Sequence, residues 1–195
     1  DNDGINIMFD CNDNDLSVLD GKCEMETETY LHKRISSGEV HTCGIKENNT
    51  VRCWGFNTHG QSLSPEGEFI DISAGILHAC GIKEDGLVEC WGSNNYGESS
   101  PPSDSFLQVS IGVGHSCGIK SDGLVECWGD NSYGQSSPPN EAFVQISAGF
   151  VHTCGIKVDG SVSCWGSNNF GQSSPPNGSF VQISAGRYYS CGIRE

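Results

Sequence analysis

Cysteine recurs at a fixed interval through most of this chain. Cys43, Cys80, Cys117, Cys154 and Cys191 stand 37 residues apart, and Cys53, Cys90, Cys127 and Cys164 keep the same step, as do Trp54, Trp91, Trp128 and Trp165 directly behind them. Three series in one register mean one supersecondary unit repeated, each copy needing neighbours to bury its apolar face. A unit reads approximately F-V-Q-I-S-A-G-x-x-H-T-C-G-I-K-x-D-G-x-V-x-C-W-G-x-N-x-x-G-Q-S-S-P-P, with first-unit departures at Thr58-His59-Gly60 and Ser64-Pro65. The array divides as 36–72, 73–109, 110–146, 147–183 and a partial 184–195, leaving residues 1–35 outside it.

Within a unit apolar and polar residues alternate, and Gly or Pro closes every segment, which is strand patterning. Phe143 to Ser147 reads as one strand, and His78 to Lys83 with Leu87 to Trp91 as a hairpin. Glu84-Asp85-Gly86 fits a three-residue hairpin loop in which Gly86 takes the left-handed position after a type I turn. That loop sets Cys80 opposite Cys90 and Ile82 opposite Val88 on one face, with Lys83 and Glu89 on the other. Helical repeats of similar length are excluded by the Gly and Pro-Pro punctuation inside every unit. The expected fold class is all-β.

The chain carries 25 acidic and 10 basic side chains, a net charge of −15. Nucleic-acid affinity comes mostly from Lys and Arg neutralising phosphates, so no nucleic-acid partner is expected. No stretch approaches the roughly 18 consecutive apolar residues of a membrane helix, and the first residues carry no signal-sequence pattern, so membrane insertion is not expected in this segment and any signal peptide is taken to be gone.

The run Gly149 to Gln172, GxxHTCGIKxDGxVxCWGxNxxGQ in general form, resembles the regulator of chromosome condensation repeat in its short, two-cysteine form. The resemblance covers about four fifths of the chain. It implies a β-propeller with one small antiparallel sheet per blade. Members present loops to protein partners; some are nuclear exchange factors for a small GTPase, and short-repeat relatives include a secreted bacterial inhibitor of β-lactamases. The acidity and paired cysteines here depart from the nuclear members. The family's rings close with about seven blades, whereas residues 36–195 supply about four, so the array reads as a piece of a longer protein. An open propeller arc is the alternative, with exposed sheet edges.

Eleven cysteines in a Gly-rich acidic chain suggest an oxidising compartment, extracellular or at the cell surface. Zinc competes with disulfides, although structural zinc sites usually use C-x₂₋₄-C pairs and these are Cys-x₉-Cys. Cross-strand disulfides Cys43–Cys53, Cys80–Cys90, Cys117–Cys127 and Cys154–Cys164 are favoured, and Cys11 with Cys23 would staple the N-terminal segment. Cys191 is then left unpaired in this chain, so its strand is expected to continue or to pair with a neighbouring copy, as in a filament component. His41, His78, His115 and His152 precede the first Cys of each unit by two residues, and Tyr189 replaces them in the last. A blade-to-blade hydrogen bond tolerates that exchange where a metal ligand does not. The tryptophans read as packing residues. No nucleophile–base–acid set or phosphate loop stands out, so no enzyme is expected.

Residues 1–30 hold nine of the acidic side chains against Lys22 alone. Asp1, Asp3, Asp10, Asn12, Asp13 and Asp15, with the Ile5 carbonyl, place oxygen ligands at short intervals, the spacing by which a loop wraps Ca²⁺. The segment resembles thrombospondin type-3 calcium motifs; the full EF-hand pattern is missing, and a solvated acidic linker is the alternative. Asn48-Asn49-Thr50 and Asn177-Gly178-Ser179 are glycosylation sequons at expected turns, so N-linked glycans are expected at Asn48 and Asn177. Pro-Pro pairs beside serines are further candidates for modification. The expected function is an extracellular structural or protein-interaction module within a larger surface protein, binding a protein partner or copies of itself. The alternative is a secreted propeller that inhibits one target protein through its loop face, which would need loops that diverge between units.

Overall fold

The computed structural model describes residues 35–194. Four three-stranded sheets follow one another: β1 (Ile35–Ser37), β2 (His41–Ile45) and β3 (Val51–Gly55); β4 (Phe69–Ala74), β5 (His78–Lys83) and β6 (Val88–Gly92); β7 (Phe106–Ile111), β8 (His115–Lys120) and β9 (Val125–Gly129); β10 (Phe143–Ala148), β11 (His152–Lys157) and β12 (Val162–Gly166). A fifth sheet pairs β13 (Phe180–Ala185) with β14 (Ser190–Arg194). All pairings are antiparallel meanders, and the first strands β1, β4, β7, β10 and β13 neighbour one another in turn. The described residues are therefore an all-β propeller arc with first strands innermost. Among the described residues no helix is long and apolar enough to cross a membrane.

The hairpins follow from three residues. Lys83 N–H donates to the Leu87 carbonyl at 2.9 Å and Gly86 N–H to the Lys83 carbonyl at 2.9 Å, with Gly86 at φ 83°. Asn49 takes the same left-handed position at φ 65°, a conformation Asn tolerates better than other side chains. The Asp85 carboxylate accepts from Leu87 N–H at 2.9 Å and closes the tip. Cys80 stands opposite Cys90 and Ile82 opposite Val88.

The inner strands depart from simple alternation. Phe143 and Ile146 are both 2% exposed although three residues apart, and an irregularity between Phe143 and Gln145 reconciles them. Phe69, Phe106 and Phe180 begin their strands with the same irregularity. It turns Ile70, Leu107, Val144 and Val181 outward to solvent.

The core lies between sheets. Cys43, Ile45, Val51 and Cys53 of the first sheet cluster with Phe69, Ile72, Ala74 and Ala79 of the second, and Trp91 packs against them. The next two boundaries repeat the arrangement with Trp128 and Trp165. Each tryptophan also meets the phenylalanine of its own sheet, at centroid distances of 6.2, 5.7 and 5.6 Å for Phe69–Trp91, Phe106–Trp128 and Phe143–Trp165. Burying one such phenylalanine contributes about 2–3 kcal/mol, and only a neighbouring sheet can supply that burial. Middle-strand glycines make room: a Cβ on Gly118 would lie 2.3 Å from the Phe106 ring.

Candidate interaction face

The arc has two ends, set by strand direction. Inner strands run from the hairpin tips toward glycines at the far end, and third strands return there into the N-x-x-G-Q loops. At the hairpin end each tip holds the next sheet, as Gly86 C=O accepts from Phe106 N–H at 2.8 Å. Exposed Asp85, Asp122 and Asp159 mark these tips. The Asp159 carboxyl is held below its ordinary range by hydrogen bonds from the Ser161 hydroxyl and backbone N–H.

Polar ladders across the sheet boundaries position the opposite, loop end. His78 Nε2 meets Ser116 Oγ at 3.0 Å, His115 Nε2 meets Thr153 Oγ1 at 2.9 Å and His152 Nε2 meets Ser190 Oγ at 2.9 Å. Ser116 O–H donates to the Glu98 carbonyl at 3.0 Å, so His78 is the donor and carries its proton on Nε2. Burial pushes His78 down to about 4 and His115 to about 3, so both imidazoles are neutral. A second ladder runs through serine hydroxyls: Ala148 N–H donates to Ser110 Oγ at 2.9 Å and Ala185 N–H to Ser147 Oγ at 2.8 Å.

Each N-x-x-G-Q loop is braced from below. Gln61, Glu98, Gln135 and Gln172 are buried, and their side-chain oxygens accept from His59, Tyr96, Tyr133 and Phe170 N–H at 2.7–2.9 Å. The carbonyls of Gln61, Glu98 and Gln135 also accept from the Trp91, Trp128 and Trp165 indoles. Glu98 has no amide to donate, and its neighbour compensates: Ser93 Oγ donates to its Oε1 at 2.7 Å. Burial alone would raise the Glu98 pKa, but this bond and the Tyr96 N–H hold it low.

Two rings of residues result at the loop end. Around the axis, Glu39, Ile76, Val113, Phe150 and Arg187 occupy equivalent positions and differ in every unit, bordering a depression of about 270 Å³. Arg187 lies over the rings of Phe150 and Tyr188, at 4.7 and 5.3 Å. Tyr188 also meets exposed Phe170 at 5.0 Å. Farther out, Tyr96, Tyr133 and Phe170 are exposed at one repeated position. Neither ring figured among the sequence-derived site residues. The outer one was legible as an aromatic returning every 37 residues; the inner one was visible only as a lapse in the repeat.

The sequence-derived residues fall elsewhere. Cys43–Cys53, Cys80–Cys90, Cys117–Cys127 and Cys154–Cys164 are bonded across their hairpins, which leaves those sulfurs no thiolate for zinc. Cys191 is exposed and unbonded. Asn48 and Asn177 are both exposed and both at the hairpin end; Asn48 Oδ1 accepts from Thr50 Oγ1 at 2.7 Å. Asp1, Asp3, Ile5, Asp10, Cys11, Asn12, Asp13, Asp15 and Cys23 lie outside the described residues. Among the described residues no group of three or more His, Cys, Asp or Glu side chains is disposed to hold a metal ion.

Comparison with known proteins agrees with this architecture. No curated protein sequence matches the chain. Among solved structures, the CRINKLY WD40 ectodomain of the Arabidopsis thaliana receptor kinase ACR4 is 32% identical with a TM-score of 0.69, over 82% of this chain and 58% of that one. The entire ectodomain of the Physcomitrella patens receptor kinase CR4 is 29% identical with a TM-score of 0.73, over 83% of this chain and 48% of that one. Prp20p from Saccharomyces cerevisiae, described with its binding to Gsp1p and histones, is 16% identical with a TM-score of 0.70, over 83% and 56%, and shares the fold. This chain thus spans roughly half the length of these structures. The profile of the regulator of chromosome condensation (RCC1) repeat matches residues 33–61, 69–98, 106–135 and 143–172, and the chain belongs to that family.

Proposed function

We propose that this chain is an extracellular protein-interaction module within a larger surface protein, and that its partner docks on the inner ring of the loop end. The four cross-strand disulfides carry the reading, since such bonds persist in oxidising compartments. Its 32% identity to a receptor-kinase ectodomain supports the same compartment. The loop end is favoured over the hairpin end on two grounds. Its axial positions differ from unit to unit, as recognition of one aperiodic partner requires, and the Phe150–Arg187–Tyr188 stack supplies the aromatic and arginine side chains on which interface energies concentrate. Both sequons sit at the other end, where glycans at Asn48 and Asn177 leave the loop end clear.

The test is binding of the 195-residue chain to a panel of purified extracellular domains. A selective partner should be lost with Phe150→Ala plus Arg187→Glu and kept with Asp122→Lys plus Asp159→Lys; the opposite pattern rejects the docking face. Calcium at Asp1, Asp3, Asp10, Asn12, Asp13, Asp15 and the Ile5 carbonyl belongs to the same proposal. Chelation should then increase protease cleavage within the first 35 residues, and unchanged cleavage rejects it. A glycosidase shift of protein secreted from eukaryotic cells checks Asn48 and Asn177.

A further inference from the structure

The outer ring of the loop end repeats its chemistry where the inner ring does not. Tyr96, Tyr133 and Phe170 are 65%, 57% and 70% exposed, although large aromatic side chains dominate cores and interfaces. Their loops are cross-braced by side-chain hydrogen bonds. Asn94, Asn131 and Asn168 each accept from a serine N–H five residues on, at 2.9–3.0 Å, and donate to a serine hydroxyl six residues on, at 2.8–2.9 Å. The aromatic residue's own N–H is fixed by a buried side-chain oxygen, and the glycine after it is left-handed at φ 80–84°. The backbone is thus ordered to hold a ring in solvent. Beside those rings stand exposed Asn95 and Asn169, and Tyr96 and Tyr133 add phenol hydroxyls to the same face.

We propose that Tyr96, Tyr133 and Phe170 are successive stacking platforms for one neutral oligosaccharide chain. A pyranose ring presents C–H groups on its flat face and hydroxyls at its rim. The negative face of an aromatic ring suits the first, and exposed amides and phenols suit the second. Equivalent platforms match a ligand made of equivalent units, whereas a folded protein would meet each with different groups. The net charge of −15 disfavours polyanionic chains, so the units are uncharged. One exposed ring binds weakly; platforms engaged by one chain act together, because each later contact is intramolecular. Phe170 meets Tyr188 of the Phe150–Arg187–Tyr188 stack, so the test is placed on Tyr96 and Tyr133, and the two readings fail independently.

Calorimetric titration of the 195-residue chain with β-1,4-linked glucose, xylose and mannose oligomers of increasing length tests the proposal, with oligogalacturonate as the charged comparison. Affinity for one neutral series should rise about 100-fold from monosaccharide to the longest chain. Tyr96→Ala combined with Tyr133→Ala should cancel most of that rise at unchanged melting temperature, Tyr96→Phe should keep it, and Phe150→Ala plus Arg187→Glu should leave it intact. No binding in any neutral series, affinity independent of length, insensitivity to the tyrosine substitutions, or preference for oligogalacturonate overturns the proposal. So does concentration-dependent self-association of the free protein that the tyrosine substitutions dissolve, which would assign the ring to contacts between copies.

Discussion

The Nε2 atom of His78 stands 3.0 Å from the Ser116 hydroxyl across the boundary between the second and third sheets. The hydroxyl passes its own proton on to the Glu98 carbonyl, so one buried line joins a middle strand, the next middle strand and the base of a loop. Its donor must be a neutral imidazole, whose Nδ1 is buried without a partner. Protonation there would put a charge in the core with no hydrogen-bond acceptor at Nδ1.

Acid should therefore loosen the sheet boundaries well above the usual carboxylate range. Unfolded histidine titrates near 6.5, whereas burial holds His78 to about 4 and His115 to about 3. The unfolded chain binds more protons in that window, so this stability is full above 6.5 and is lost as pH falls toward 4. The slope is about 1.4 kcal/mol per pH unit for each histidine. Glu98 faces His78, Asp130 faces His115, and the neighbouring histidines face both; the two carboxylates soften the effect and the histidines sharpen it. Urea midpoints should drop clearly between pH 7 and pH 5, and a flat profile over that range contradicts the assignment.

The first boundary lacks its hydroxyl. Ala79 occupies the place of Ser116, Thr153 and Ser190, and His41 Nε2 is buried with no hydroxyl to meet. Ala79→Ser should restore the line, with the new hydroxyl donating to the Gln61 carbonyl as Ser116 does to Glu98. The expected gain is about 1 kcal/mol in denaturation free energy. In a His41→Ala background the same substitution should gain nothing, and equal gains in both backgrounds would refute the pairing.

Sequence reading reached the sheets because the repeat, the Asp-Gly turn and strand alternation are local signals. It therefore set Cys80 opposite Cys90 and gave the hairpin its left-handed Gly86. The bulge after Phe143 escaped it, since Phe-Val-Gln-Ile-Ser is equally good as plain alternation. Gly118 also escaped, because a glycine inside a strand looks like a lapse until the Phe106 ring is found across it. The Ser110–Ala148 bond also escaped, since it joins residues 38 apart and leaves no trace in any single unit. The blade-to-blade bond expected of the histidines forms at His78, His115 and His152 but not at His41, where Ala79 stands in place of the hydroxyl. The loop-end site was the least legible part, since exposure is a tertiary property and Tyr96 reads in sequence like a core residue.

Gly118→Ala tests the socket directly. The added Cβ would fall 2.3, 2.8 and 2.9 Å from three carbons of the Phe106 ring, which is 2% exposed and cannot swing into solvent cheaply. The expected cost is about 1–3 kcal/mol. Combined with Phe106→Leu, which frees the space, the penalty should be less than additive in a double-mutant cycle. Strict additivity would mean that the ring and the glycine do not interact.

In the isolated 195-residue chain the four disulfides should not be equally reducible, because their cover differs. In the first three, the tryptophan of the following sheet packs over the bonded pair's cluster: Trp91 with Cys43 and Cys53, Trp128 with Cys80, and Trp165 with Cys117. The Cys154–Cys164 cluster contains Ile156, Phe180 and Ile183 but no aromatic of that size, and Cys164 lines a cavity of about 200 Å³ together with Phe180 and the exposed Cys191. A thiolate or phosphine reaches a sulfur only where solvent does, so access sets the order of reduction. Limited reduction with a water-soluble phosphine, followed by alkylation and peptide mapping, should find Cys154–Cys164 opened first and Cys43–Cys53 last. Cys191→Ser removes the thiol that would otherwise reshuffle with Cys164 and should leave that order unchanged. Removing Cys117 and Cys127 together should cost about 2–3 kcal/mol, the loop entropy of a short hairpin closure. If Cys43–Cys53 opened first, packing by the neighbouring sheet would not be what protects these bonds.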